Sequence, residues 1–193
     1  MIKSYECPSE ASEFHRDIWL FSFYLCGMNT GDIFSLKYEQ IDNDFLYFRR
    51  NKTKGTQKNK SMIQLAIPEG AKKIILKWGN KDKCPSNYIF DVYKKGMTEE
   101  EKYPIKKNKN KAISQWMRRL GRKLNIDSKM GTNVARHSWA TLSKHNGISV
   151  EEISENLGHT DIKTTKLYLD SFPKEHKIKS SNLISNLLDI QEK

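Results

Sequence analysis

Arg136 in ARHSWAT, His159 in LGHT and Tyr168 in TTKLYL follow one another near the C-terminal end of the chain, and Lys52 stands far upstream in NKTKG. These residue types suffice for phosphoryl transfer without a metal. The equatorial oxygens of the phosphate need cations or hydrogen-bond donors, the leaving oxygen needs an acid, and a nucleophile must attack in line. Taken singly, each has a plainer explanation. An arginine pairs at the surface, a histidine caps a helix, a tyrosine packs in a core and a lysine occupies a turn. Other familiar sites are missing from the sequence, which has no GxxxxGK(S/T) loop, no HExxH, no GxSxG and no GxGxxG. ATP-driven, metalloprotease and α/β-hydrolase chemistry therefore have no support.

Charge points the same way. The 193 residues carry 34 Lys+Arg against 23 Asp+Glu, for a net charge of +11 and a pI near 9.5. A chain this basic usually meets a polyanion, whether nucleic acid, anionic lipid or ribosome, and charge alone does not say which. Its length fits one ordinary domain, which buries roughly 70% of its unfolded surface without disulfides or a structural metal. A 37% hydrophobic fraction argues against disorder, and no apolar run approaches the ~20 residues of a membrane span. The opening MIKSYECPSE lacks the apolar stretch of a secretion signal. Cys7, Cys26 and Cys84 show no paired-ligand spacing. They read as reduced thiols of a cytoplasmic protein. No metal, cofactor or membrane association is expected.

The elements that must position these groups are mainly helical. Phe14, Ile18, Phe21 and Leu25 share one face of a helix over 11–26, with Ser9 or Ser12 at its start and Gly27 at its end. A short helix should follow from about Thr30 to Lys37. FLYFRR (45–50) and SMIQLAI (61–67) read as strands of a β-hairpin with a basic tip. Pro68 opens a helix to Trp78, closed by Gly79. The pattern is weak over 80–105, where Pro85, Gly96 and Pro104 punctuate it. A helix resumes over 109–125 through Ile113, Trp116, Met117 and Leu120. Its stretch from Lys102 to Lys123 holds nine Lys or Arg and no acid. Such a one-signed run favours a phosphate-facing surface, formed by Lys106, Lys107, Lys109, Lys111, Arg118, Arg119 and Arg122. Further helices are expected over 133–145, from a Ser149/Glu152 capping box to Asn156, and after Asp161. After a polar break at 171–177, Ile178, Leu183, Ile184, Leu187 and Leu188 form the apolar face of a final helix. The fold class is thus α+β: mainly α with a small antiparallel hairpin or sheet.

The run R-H-S-W-A-T, then L-G-H-T, then T-T-x-x-Y nine residues after the histidine resembles the C-terminal signature of tyrosine recombinases, the phage integrase family. GMNTGDIFSLKYEQID (27–42) looks like that family's first box, and FLYFRRNKTKG…IQLAIP looks like its lysine-bearing hairpin. The resemblance implies the integrase catalytic-domain fold over 1–173. It also implies a tail helix over 174–193 that docks on a neighbouring protomer or packs in cis. The family's N-terminal DNA-grasping domain has no counterpart here, so a fragment of a longer integrase is expected.

By the same resemblance Tyr168 is the nucleophile, Lys52 the acid, with Lys54 next in line, and Arg136 and His159 hold the non-bridging oxygens. His137 would orient the site. The family's first arginine falls on Asn29 and the histidine before the second arginine falls on Asn133. An amide donates a hydrogen bond but brings neither charge nor fork. Arg49 and Arg50 are the candidates to replace the lost cation, although arginines on such a hairpin more simply bind DNA backbone. The implied function is site-specific DNA recombination or integration for a phage or other mobile element, through a 3′-phosphotyrosyl link and without ATP or metal. The partners would be double-stranded DNA and further copies of the chain, a tetramer on DNA and a monomer alone. Two alternatives share the residues: a type IB topoisomerase, and a catalytically weak DNA-binding module arising from Asn29.

Overall fold

The computed structural model describes residues 1–50, 62–126, 130–159 and 161–166, with positions 169, 178 and 182. Lys52, Lys54, Tyr168, the hairpin tip and most of the expected tail helix lie outside the described residues.

Ser9 starts the first helix, α1 (Glu10–Tyr24), through a reciprocal box in which each of Ser9 and Ser12 accepts the other's backbone N–H. From Arg16 to Ser22 every residue of α1 is buried, so it is the axis of the domain and packs mainly against three other helices. These are α3 (Glu69–Trp78), α4 (Glu99–Lys123) and α5 (Thr132–His145). Asp17 is a charge inside that packing. Its two oxygens accept from Arg16 Nε at 2.8 Å, Arg16 Nη2 at 2.7 Å, Trp78 Nε1 at 2.8 Å and Lys77 Nζ at 3.2 Å, which clips α1 to α3.

After α1 comes α2 (Thr30–Ser35), two residues shorter than expected, and then a three-stranded antiparallel sheet in the order β1 (Ile41–Asp42), β2 (Phe45–Phe48), β3 (Ile63–Ala66). The sequence pattern predicts only the last two strands, and both are shorter than read. Pairing of Leu46 with Leu65 and of Phe48 with Ile63 puts four apolar side chains on one buried face. β1 is two residues long, too short to carry a periodicity.

The largest departure lies at 80–105. That stretch is not peripheral: Ile89, Phe90 and Tyr93 are buried, and Phe90 meets Phe21 edge-on at 5.1 Å. Single bridges, Lys37 to Tyr88 and Gly79 to Phe90, hold it. α4 begins ten residues earlier than the apolar spacing suggests, at a Thr98/Glu101 capping box. Pro104 lies inside the helix, where it removes one N–H. Three acids in the first turn and the cap offset that loss. One stripe of α4 does two jobs: Glu99, Tyr103, Lys106 and Asn110 line a cleft, and Ile113, Met117 and Leu120 continue it into the core. On the helical wheel Lys107, Lys111, Arg118 and Arg122 fall together on an exposed face. Arg119 is also exposed. Lys109 lies elsewhere, over the Phe14 ring at 5.6 Å.

A second small cluster of Ala140, Ile153 and Leu157 packs α5 against α6 (Val150–Asn156), with Trp139, Ile148 and Leu169 around it. At α6 the Ser149 half of the expected box is formed, its side chain accepting from Glu152 N–H. Asp161 caps α7 (Ile162–Lys166) by accepting from Lys163 N–H at 2.8 Å. Among the described residues no helix is long and apolar enough to cross a membrane.

Candidate active site

Two helix ends build the site. α1 closes with Leu25 as C-cap, Cys26 at φ 54° and Gly27 N–H donating to Ser22 C=O at 2.8 Å. That six-to-one bond is the Schellman closure. α6 repeats it with Leu157, Gly158 at φ 62° and His159 N–H donating to Ser154 C=O at 3.0 Å. The sequence L-G-H thus has a mechanical meaning. Leucine is the cap, glycine the left-handed residue, and histidine the first residue whose direction the turn fixes. A Cβ on Gly158 would stand 2.3 Å from Ile63 Cδ1, so the turn also needs glycine for room.

Arg136 joins the two ends. It is buried on α5, and its Nη1 donates to Gly27 C=O at 3.1 Å while Nη2 donates to Leu157 C=O at 2.5 Å. Gly27 is the close approach that allows this: a Cβ there would lie 2.3 Å from Arg136 Cα. Arg136 Nη2 also meets His159 Nε2 at 2.9 Å, and His159 Nδ1 meets Thr165 Oγ1 at 2.8 Å. A guanidinium only donates, so Nε2 accepts and the ring proton sits on Nδ1, facing the fully buried Thr165. Burial, with Arg136 and Arg50 beside it, pushes the His159 pKa down to about 4, so the ring is neutral at pH 7.

Arg136 also lines a cleft of about 530 Å³ together with Asn29, Asn133 and Arg50. Asn133 is one helical turn before Arg136, on the same face of α5. Asn29 precedes α2, and its backbone carbonyl, not its side chain, caps that helix. Lys106 and Lys102, both on α4, also line it, Lys102 paired with Glu99 at 2.8 Å. Thr30 Oγ1 hydrogen-bonds Asn110 across it.

Of the residues singled out from sequence, the structure brings together Arg136, His159, Asn29, Asn133, Arg50 and Lys106. His137 is turned about 100° from Arg136 around α5, is exposed and does not line the cleft. Arg49 is exposed and lines a neighbouring cavity with Tyr47 and Met62. Sequence reasoning missed Thr165, Gly27 as the seat of Arg136, and Lys102. A threonine just ahead of the candidate tyrosine in T-T-x-x-Y was the available signal for the first.

The family model described as the phage integrase family matches residues 6–175. Tyrosine recombinase XerA of Saccharolobus solfataricus is 28% identical over 142 residues, which is 74% of this chain and 41% of that protein. Tyrosine recombinase XerD of Staphylococcus aureus is 40% identical over 57 residues, 30% of this chain and 19% of that protein. The chain therefore spans less than half the length of these curated relatives. Among solved structures, XerA recombinase superposes with a TM-score of 0.57 at 18% identity, covering 93% of this chain and 64% of that one. XerH recombinase, in a post-cleavage complex with a palindromic difH substrate, gives 0.63 at 16% identity, over 95% and 49%. At these identities the structures speak to the fold: mostly helical with a small antiparallel sheet.

Proposed function

The chain belongs to the phage integrase family, and on that premise we propose that it cuts and rejoins double-stranded DNA in site-specific recombination or integration. The oxygen of Tyr168 attacks the scissile phosphorus, the P–O5′ bond breaks, and a 3′-phosphotyrosyl link forms. The phenolic proton passes to solvent, the departing O5′ takes a proton from the Lys52 ammonium, and the lysine is reprotonated from solvent, so the step balances without ATP or metal. A 5′-hydroxyl of the exchanged strand reverses it. Arg136 and His159 hold the non-bridging oxygens, Asn29 and Asn133 donate more weakly, and His137 has at most an orienting part.

The observation that carries the reading is the Arg136–His159 contact at 2.9 Å beside a cleft that Asn29 and Asn133 also line. Three segments far apart in sequence thereby meet at one cleft. In the DNA-free state His159 Nε2 accepts from Arg136. An arriving phosphate would bring negative charge that opposes the lowering of the ring's pKa by the two arginines. The DNA complex of XerH supports DNA as the partner. Lys107, Lys111, Arg118 and Arg122, with Lys54 and Arg49, would track neighbouring backbone, and affinity would fall with salt. Residues 1–173 would be the catalytic domain, with 174–193 engaging a neighbouring copy in a tetramer on DNA.

The test uses duplexes selected by this protein from a random-sequence pool and nicked beside the cleavage point to trap the intermediate. The wild-type chain should form a covalent adduct that Tyr168→Phe abolishes while binding persists. An adduct surviving that change would sink the assignment.

A further inference from the structure

Resting on that strand-transfer reading, we propose that Arg50 is the second guanidinium of the phosphate site and supplies the charge that Asn29 does not. A transition state with negative charge spread over its equatorial oxygens is held by preorganised cations. Arg136 is one such cation. Asn29, at the start of α2, brings an amide to the same cleft and no charge.

Arg50 follows β2, remote in sequence from both α2 and α5, yet its side chain reaches the turn after α6 and lines the cleft beside them. Its Nη1 donates to Gly158 C=O at 3.0 Å, and it lines the cleft with Asn29, Asn133 and Arg136. The passage over the turn depends on Gly158, where a Cβ would stand 2.9 Å from Arg50 Cδ. Leu157 C=O holds Arg136 and Gly158 C=O holds Arg50, so successive carbonyls of one helix end carry the two guanidiniums. Both press on His159, which is lowered by burial and by each arginine. Two like charges brought to one turn repel, and an anion between them converts that repulsion into a three-centre attraction.

The other cations near the cleft fit this part less well. Arg49 is exposed and faces the neighbouring cavity. Lys102 is paired with Glu99 and lies 5.9 Å from the Tyr88 ring centroid. Lys106 lies over the Tyr103 ring at 5.5 Å, and an ammonium lacks the fork that grips two phosphate oxygens.

Single-turnover adduct formation on the trapped duplex reads this directly. Arg50→Ala should slow the step by about 10²-fold or more, and Arg50→Lys should lie between it and the wild type. Two rescues are expected: Arg50→Ala with Asn29→Arg regains at least about tenfold, and a neutral methylphosphonate at the scissile position narrows the gap between Arg50→Ala and wild type. Thermal melting of Arg50→Ala checks that it folds. If it does not, Asn29→Arg in the Arg50→Lys background serves the same comparison. A wild-type rate in Arg50→Ala, or an equal defect on the ordinary and the neutral phosphate with no rescue by Asn29→Arg, overturns the proposal alone. No adduct with the wild-type chain overturns the strand-transfer reading, and this proposal with it.

Discussion

Replacing Gly27 by alanine perturbs the site without changing any side chain that would face the phosphate. Gly27 has φ 70°, and an L-residue in that region costs about 1 kcal/mol. The added methyl would lie 2.3, 2.6 and 2.7 Å from Cα, Cβ and Cγ of Arg136. Carbon atoms settle at about 3.5–4 Å, so α5 and the α1 turn must part by on the order of 1 Å. Overpacking of this kind costs about 1–3 kcal/mol, giving a total of about 2–4 kcal/mol. That is a large share of a domain stability of about 5–15 kcal/mol, but not all of it. The same retreat carries the guanidinium off its two carbonyls, and a misplacement of about 1 Å costs roughly 10²-fold in rate. Gly96→Ala is the control: its φ is 87°, but a Cβ there meets nothing within 4 Å, so it should lose about 1 kcal/mol and keep its cleavage rate. Urea unfolding and single-turnover adduct formation measure both quantities. If Gly27→Ala is no less stable than Gly96→Ala, or cleaves as fast as wild type, the close seating of Arg136 is not what aims it.

Two further outcomes follow from the geometry. His159 titrates near 6.5 when unfolded and near 4 when folded, so its contribution is complete above about pH 6.5 and drains away as pH falls toward 4. The difference corresponds to at most about 3 kcal/mol, and partial exposure of the ring cuts it to on the order of 1 kcal/mol. Urea midpoints at pH 7 and 4.5 for wild type and His159→Gln isolate it, and parallel losses in both proteins would contradict the buried neutral ring. Asp17→Ala removes an acceptor shared by Arg16, Lys77 and Trp78 and leaves a buried guanidinium poorly matched. It should cost about 3–5 kcal/mol, with Asp17→Asn losing less. A denaturation midpoint close to wild type would show that the clip between α1 and α3 is dispensable.

What the sequence disclosed depended on whether the signal was local. L-G-H was legible because cap, left-handed residue and outgoing residue are consecutive, and φ 62° at Gly158 is what such a triplet requires. The apolar stripe of α1 was legible for the same reason. The start of α4 was legible in principle: Thr98 and Glu101 form the T-x-x-E box, but Pro104 and the lack of apolar spacing hid it. Ile89, Phe90 and Tyr93 could not be read, since their burial comes from partners as distant as Phe21, with no periodicity around them. Arg50 was legible only as one of two candidates, with Arg49, to replace the lost cation, and nothing local chose between them, because its partner Gly158 lies 108 positions away.

The way the cations are seated also explains why arginine stands at these positions. Anions usually gather at helix N-termini, where free N–H groups and the macrodipole favour them. Here the cleft adjoins the closing turns of α1 and α6, whose carbonyls present negative charge. Without the two guanidiniums that corner would repel a phosphate. Arg136 donates to Gly27, Leu157 and His159, Arg50 donates to Gly158, and a planar guanidinium spreads its five N–H donors over different edges. An ammonium that satisfied two carbonyls on one side would present little to an anion on the other. The arginines therefore invert the sign of a helix-end pocket, and the same carbonyls that would have excluded the anion become the anchors that fix the cations before it arrives.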